Sequence, residues 1–196
     1  MNLALFDFDG TITDHDMYSE FLRHTATPLR SIMATCLLTP FYLLYKMGWF
    51  PASKLRPMYS YVAFAHREQA ILDSIGQDYA DNIIPNYLRT NAMARIHWHK
   101  ENGDNIVVVS ASLDIYLKHW CEAHDIKLIC SELAVHNGTI TGYYASGDCS
   151  CETKSTKVRA VFDLQSYEKI FAYGDTNEDL AMLALADEKY MNWKKI

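Results

Sequence analysis

The chain has 196 residues, of which 49% are hydrophobic and 21% charged, with eight Gly and five Pro; this excludes disordered, fibrous and low-complexity polypeptides. Its length suits one domain or a domain carrying an insert, enough to bury about 70% of the unfolded chain's surface. Eighteen Lys and Arg against twenty-four Asp and Glu give a net charge of −6. That argues against nucleic acid as a partner, but fits a phosphorylated small molecule if a metal supplies positive charge locally.

Leu3 to Phe6 is an uninterrupted apolar run that ends in Asp7-Phe8-Asp9-Gly10-Thr11, the pattern of a strand buried on both faces of a parallel sheet. Residues 16 to 101 then read as helical. The segments are Met17 to His24, Leu29 to Met47 with a break at Pro40, Ser53 to Ala65, Glu68 to Asn82 and Tyr87 to Glu101. An insertion of this length is expected to bury a core of its own. Inside it, the uncharged stretch from Ser31 to Tyr45 falls short of the about 20 apolar residues of a membrane span. It reads as a buried helix pair of a small subdomain, or as a surface that meets lipid or an apolar substrate. Trp49, Phe50 and the nearby tyrosines suit the second reading.

Asn105 to Ser110 is a second β-branched run, followed by a helical period from Ser112 to His124 with Leu113, Tyr116, Leu117 and Trp120 on one side. Lys127 to Cys130 reads as a strand, and His136-Asn137-Gly138-Thr139-Ile140 as a hairpin around an Asn-Gly turn. A helix is predicted from Thr156 to Gln165, a strand from Lys169 to Asp175 and a helix from Glu178 to Ala186. This alternation predicts an α/β fold: a Rossmann-like, doubly wound parallel sheet with an α-helical cap inserted after the first strand. The core would comprise residues 1–15 and 88–196, the cap 16–87.

The five cysteines lack the spacing of a disulfide framework, a zinc site or a redox pair, and the N-terminus lacks a secretory design, so reduced thiols and the cytoplasm are expected. His97 and His99 lie two apart, His119 and His124 five apart, so neither pair has the spacing of a helical metal site; the histidines read as structural or superficial.

Ligands of open parallel sheets bind beyond the carboxyl ends of the strands. Asp7 and Asp9 follow the first strand, Ser110 the second and Asp175 a later one, with Asp179 a helical turn further on. Lys154 and Lys157 flank the start of the predicted helix between them. Carboxylates gathered at one edge repel, and Mg²⁺, which takes oxygen ligands and keeps positions open for water and phosphate, is the expected counter-ion.

In this order Asp7-Phe-Asp9-Gly-Thr11, Val-Val-Ser110-Ala-Ser, a lysine entering a helix and Gly174-Asp175-Thr-Asn-Glu-Asp179 resemble the motifs of the haloacid dehalogenase superfamily, in its phosphoserine-phosphatase-like branch. The resemblance extends to Leu113-Asp114 and to the Asn137-Gly-Thr-Ile-Thr-Gly142 hairpin. It implies a Mg²⁺-dependent phosphatase acting on a small-molecule phosphate ester, with Asp7 as nucleophile forming an aspartyl-phosphate and Asp9 as general acid and then base. It further implies that Asp7, the Asp9 backbone carbonyl and Asp175 hold the metal, and that Thr11, Ser110, the Ala111 backbone N–H and a lysine bind the phosphoryl oxygens. Asp179 would orient the lysine or a metal-bound water from behind. Lys157, in its Lys-Val-Arg-Ala-Val context, is favoured over Lys154 as that lysine. Asp16 and Arg56 fall where the branch recognises its substrate. The substrate itself stays open among a phosphorylated amino acid, a sugar phosphate and a phospholipid head group. A receiver-like binding module, the alternative from another class, would carry its acceptor Asp on the third strand and no large insertion; an inactive relative would not need Asp7, Asp9 and Asp175 all intact.

Overall fold

A computed structural model describes residues 1–196. Strand β1 (Leu3–Phe6), with no exposed residue, lies in the middle of a six-stranded sheet. It pairs in parallel with β2 (Asn105–Leu113) on one side and β6 (Ile170–Gly174) on the other, so that Phe6 lies between Val108 and Tyr173. β3 (Lys127–Ser131) extends the sheet beyond β2, and β7 (Glu188–Met191) beyond β6, both parallel; β8 (Lys194–Lys195) closes the edge antiparallel to β7. The order is β3-β2-β1-β6-β7-β8, the doubly wound arrangement the alternation predicted.

Alternate residues of each buried strand feed opposite faces. Ala4, Phe6, Ile106, Val108, Phe171 and Tyr173 join a 28-residue cluster, while Leu3, Leu5, Val107, Val109, Ile170 and Ala172 join one of 13. The smaller cluster is covered by α7 (Glu152–Val161) and the short α8 (Leu180–Leu183), through Val158, Met182 and Leu183. The larger is covered by α1 (Met17–Thr25), α3 (Ala52–Phe64), α4 (Gln69–Asn82), α5 (Thr90–Glu101) and α6 (Asp114–Ala123).

This arrangement changes the expectation that the insertion has a core of its own. Phe21, Phe64, Leu72 and Tyr79 of the insertion share one cluster with Phe8, Tyr116 and Trp120 of the sheet side. α4 lies so close to α6 that a Cβ at Gly76 would stand 2.1 Å from the Ile115 carbonyl oxygen, so only glycine fits there. The part that projects is α2 (Pro28–Lys46), packed along α3. α2 runs through Pro40 instead of breaking there. Cys36 and Pro40 are both exposed, so water can serve the carbonyl that proline leaves unpaired. Nor is α2 the buried helix of the first reading: Leu38 is its one buried residue.

β4 (Leu133–His136) and β5 (Thr139–Tyr144) form the expected hairpin, with Asn137 and Gly138 at φ 49° and 73° as its turn requires. The hairpin packs on α3, where Ser60 and Tyr144 share a hydrogen bond of 3.0 Å. Two boundaries differ from expectation and bear on the site. β2 continues to Leu113, so Ser110 is inside the strand, and α7 begins at Glu152, four residues before the predicted start at Thr156. A single 3₁₀ turn, Asn177–Asp179, leads into α8, which stops at Leu183. No helix is long and apolar enough to cross a membrane.

Candidate active site

The carboxyl ends of β1, β2 and β6 converge, and the loops after them bring the acidic residues together. Asp7 follows β1 directly; its N–H donates to the Tyr173 carbonyl at 2.9 Å, extending the pairing with β6 by one residue and fixing its backbone. Carboxylate oxygens of Asp7, Asp175 and Asp179 all lie within 4.8 Å of one another.

Lys154 binds this cluster. From the first turn of α7 its buried ammonium donates to Asp7 Oδ1 at 2.5 Å and to Asp179 Oδ1 at 2.6 Å. A cation at a helix N-terminus opposes the helix dipole, so two carboxylates are needed to hold it there. They raise the Lys154 pKa despite its burial, and the side chain stays protonated. Lys157, the lysine favoured on sequence, instead donates to the Cys130 carbonyl at 2.9 Å and to Ser146 Oγ at 2.8 Å, away from the cluster. The correction follows from the helix start. With α7 beginning at Glu152, Lys154 occupies its first turn, whereas Lys157, one turn further on, is drawn to Cys130 and Ser146.

Asp179 has both oxygens engaged. Oδ1 takes the Lys154 bond, and Oδ2 accepts from the backbone N–H groups of Asp175 and Thr176 at 3.0 and 3.1 Å, within a capping box formed with Thr176. It therefore shapes the loop and aims the lysine. The Asp175 carboxylate makes no side-chain hydrogen bond and rests against Gly10, where an added Cβ would come within 2.1 Å of its Oδ2. Gly10 also has φ of 77°, a conformation side chains rarely adopt. Burial, with Asp179 nearby, pushes the Asp175 pKa up to about 6. Burial raises that of Asp7 as well, opposed by the Lys154 ammonium.

Asp9 is held separately. Its Oδ1 accepts from the N–H of Met17, the first residue of α1, at 2.7 Å, and Ser112 Oγ donates to its Oδ2. Both bonds favour the ionised form; burial and the charge of Asp16 outweigh them, and the pKa rises to about 7. Ser112 belongs to the Ser-Ala-Ser triplet, but its role was not read from sequence. Its signal is that the chain remains extended through residue 112, which points Ser110 and Ser112 to one face.

Ser110 is fully buried, and its Oγ accepts the Ser112 N–H at 3.0 Å, which leaves its own proton to donate. Ala111 lies between them, where the register with β3 shifts. Thr11 Oγ1 is buried with no hydrogen-bond partner. Asp16 is used locally, capping α1 through Ser19. Arg56 lies at the rim: its guanidinium holds Asp148 with bonds of 2.8 and 2.9 Å and Glu178 with one of 2.9 Å. It thereby clamps α3 to the loop that carries Asp175 and Asp179.

The fold is shared with known structures at low sequence identity. A Bordetella pertussis Tohama I protein of unknown function superposes with a TM-score of 0.84 at 20% identity, covering 97% of this chain and 89% of its own. A substrate-bound phosphoserine phosphatase superposes with a TM-score of 0.68 at 16% identity, covering 95% of this chain and 83% of its own. In sequence, protein CicA of Caulobacter vibrioides is 29% identical over 197 residues, spanning 95% of this chain and 84% of CicA. The haloacid dehalogenase-like hydrolase family model matches residues 4–184, a span that takes in β1, the Asp7 and Asp9 loop, Ser110, Lys154 and the Asp175–Asp179 turn. With its motifs folded onto one sheet edge and nearly its whole length matched, the chain belongs to the haloacid dehalogenase-like hydrolases.

Proposed function

We propose that the protein is a Mg²⁺-dependent phosphatase that hydrolyses a small phosphate monoester through an aspartyl-phosphate on Asp7. The observation that carries this reading is the convergence of Asp7, Asp175 and Asp179 around Lys154, since three carboxylates share one protein cation. One ammonium cannot neutralise them, and the unpartnered Asp175 carboxylate suits a hard divalent cation. The carboxylates of Asp7 and Asp175 and the Asp9 backbone carbonyl would hold Mg²⁺, which supplies charge to the phosphoryl oxygens and keeps the carboxylates ionised.

Asp7 attacks phosphorus in line; its carboxylate–phosphorus bond forms as the ester bond breaks. Asp9 gives its proton to the leaving oxygen. A pKa of about 7 leaves Asp9 partly protonated at neutral pH, as a group that must act as acid and then as base requires. In the second half, Asp9 takes a proton from water as that water attacks the phosphorus, and inorganic phosphate leaves. Lys154, held by Asp7 and Asp179, donates to the phosphoryl oxygens along with Ser110, Thr11 and the Ala111 N–H. Thr11 Oγ1 supports the assignment. A buried hydroxyl without a partner costs roughly 1–3 kcal/mol, which a bound phosphoryl oxygen would relieve. We place the activity in the cytoplasm, where the buried thiols Cys121, Cys130 and Cys149 would stay reduced.

Release of inorganic phosphate from p-nitrophenyl phosphate with Mg²⁺, lost on chelation and in Asp7→Asn, is the expected result. Undiminished turnover by Asp7→Asn would overturn the reading. A panel of phosphorylated amino acids, sugars and phospholipid head groups then assigns the substrate.

A further inference from the structure

We propose that the hairpin of α2 and α3 docks the protein on an anionic lipid bilayer. α2 is apolar yet lies outside the core. Leu29, Ile32, Leu37, Leu43 and Met47 are each more than half exposed, and Trp49, in the turn after the helix, is 73% exposed. An all-round apolar helix is normally buried in protein or placed against lipid. At 19 residues and not apolar enough to span, α2 is suited to lie in the interface, not to cross it.

Charge selects the occupant. Residues 21–67 hold none of the twenty-four acidic residues of this chain of net charge −6; of their basic residues Arg23 pairs with Glu20 and Arg56 with Asp148 and Glu178, while Arg30, Lys46, Lys54 and Arg67 have no ion pair. Lys46 sits over the rings of Tyr42 and Tyr45, and Lys54 is exposed at the start of α3, so aromatic, aliphatic and basic groups meet at one tip. That combination matches a bilayer with a negative surface. A symmetric dimer through this face would oppose the same basic groups, with no carboxylate in the segment to pair them. The hairpin is presented stiffly. Arg30 of α2 donates to the carbonyls of Val62 and Ala65 at 2.7 and 2.8 Å, and Arg56 of α3 is anchored to Asp148.

The test is co-sedimentation of the full chain with phosphatidylcholine vesicles, alone or mixed with phosphatidylglycerol, with tryptophan fluorescence followed in parallel; it needs no enzymatic activity. Expected are binding to the mixed vesicles only, weakened by salt, and a blue shift that Trp49→Phe removes. Lys46→Glu and Lys54→Glu should each lower the apparent affinity about five-fold or more. Leu37→Ser with Leu43→Ser should abolish binding while the circular dichroism spectrum is retained. Equal binding to both vesicle types, binding to neither, or a solution dimer that Trp49→Ser dissociates would overturn the proposal.

Discussion

Lys154 Nζ stands 2.5 Å from Asp7 Oδ1, in a site where both groups are buried, and the same ammonium reaches Asp179 at 2.6 Å. The nucleophile proposed for this chain thus has a fixed cationic partner, supported from behind by a carboxylate with no spare oxygen. Lys154→Met should lower kcat about 10²- to 10³-fold, the usual loss for a preorganised charge at a developing oxyanion. Lys157→Met, which removes only the bonds to Cys130 and Ser146, should stay within a few-fold of wild type. Steady-state kinetics of the two variants check this, and equal losses would place the phosphate elsewhere.

Ser112 opposes the rise in the Asp9 pKa. Its hydroxyl bond lowers the Asp9 pKa, against the rise that burial and Asp16 impose. Without that bond the pKa moves above about 7, by up to roughly one unit for a hydrogen bond of about 1 kcal/mol. In the proposed first half-reaction Asp9 acts as an acid, so the alkaline limb of kcat/KM should move to higher pH in Ser112→Ala. A pH profile with the limb unmoved would remove Ser112 from the account.

The raised carboxyl pKa values also predict the stability of the metal-free protein. In the unfolded chain a carboxyl titrates near 3.9, whereas burial in the fold pushes Asp175 up to about 6 and Asp9 up to about 7. The folded state therefore binds more protons between these limits. Its stability contribution is present at low pH and lost as pH rises through 6 to 7. In chelator, Tm should fall from pH 5.5 to pH 8 more steeply in wild type than in Asp175→Asn, an order-of-magnitude expectation from these shifts. Mg²⁺ should raise Tm of the wild type near pH 8 and leave Asp175→Asn unchanged. Thermal melts at the two pH values test both statements.

Arg56 joins the projecting helices to the site loop. Arg56→Met leaves Asp148, a carboxylate only 4% exposed, without its partner. The cost should be about 3 kcal/mol, a Tm drop of roughly 6–12 °C for a chain of this size. Asp148→Asn in the same protein should restore part of it. A double-mutant cycle with no coupling would show that the clamp carries no energy.

The strands that carry the candidate site and their acidic ends were legible because a doubly buried strand leaves a dense apolar run, and the polar residues that end it stand out. The lysine was not, because the cap of α7 is atypical. The helix starts behind Cys151, at φ 50° and with no side-chain cap, while Ser155-Thr156 imitates a cap four residues later. The β7–β8 turn escaped for a related reason: Asn192 and Trp193 adopt φ of 50° and 64° without the glycine that announces such turns. α2 was misjudged in one reading because apolar composition alone does not say whether protein covers it.

The most direct test of the account is to trap the covalent intermediate. The protein is mixed with p-nitrophenyl phosphate and Mg²⁺, quenched in acid, reduced with borohydride and mapped by peptide mass spectrometry. Conversion of Asp7 to homoserine, absent in Asp7→Asn, is the predicted result; phosphate release with modification at another residue, or at none, would contradict it.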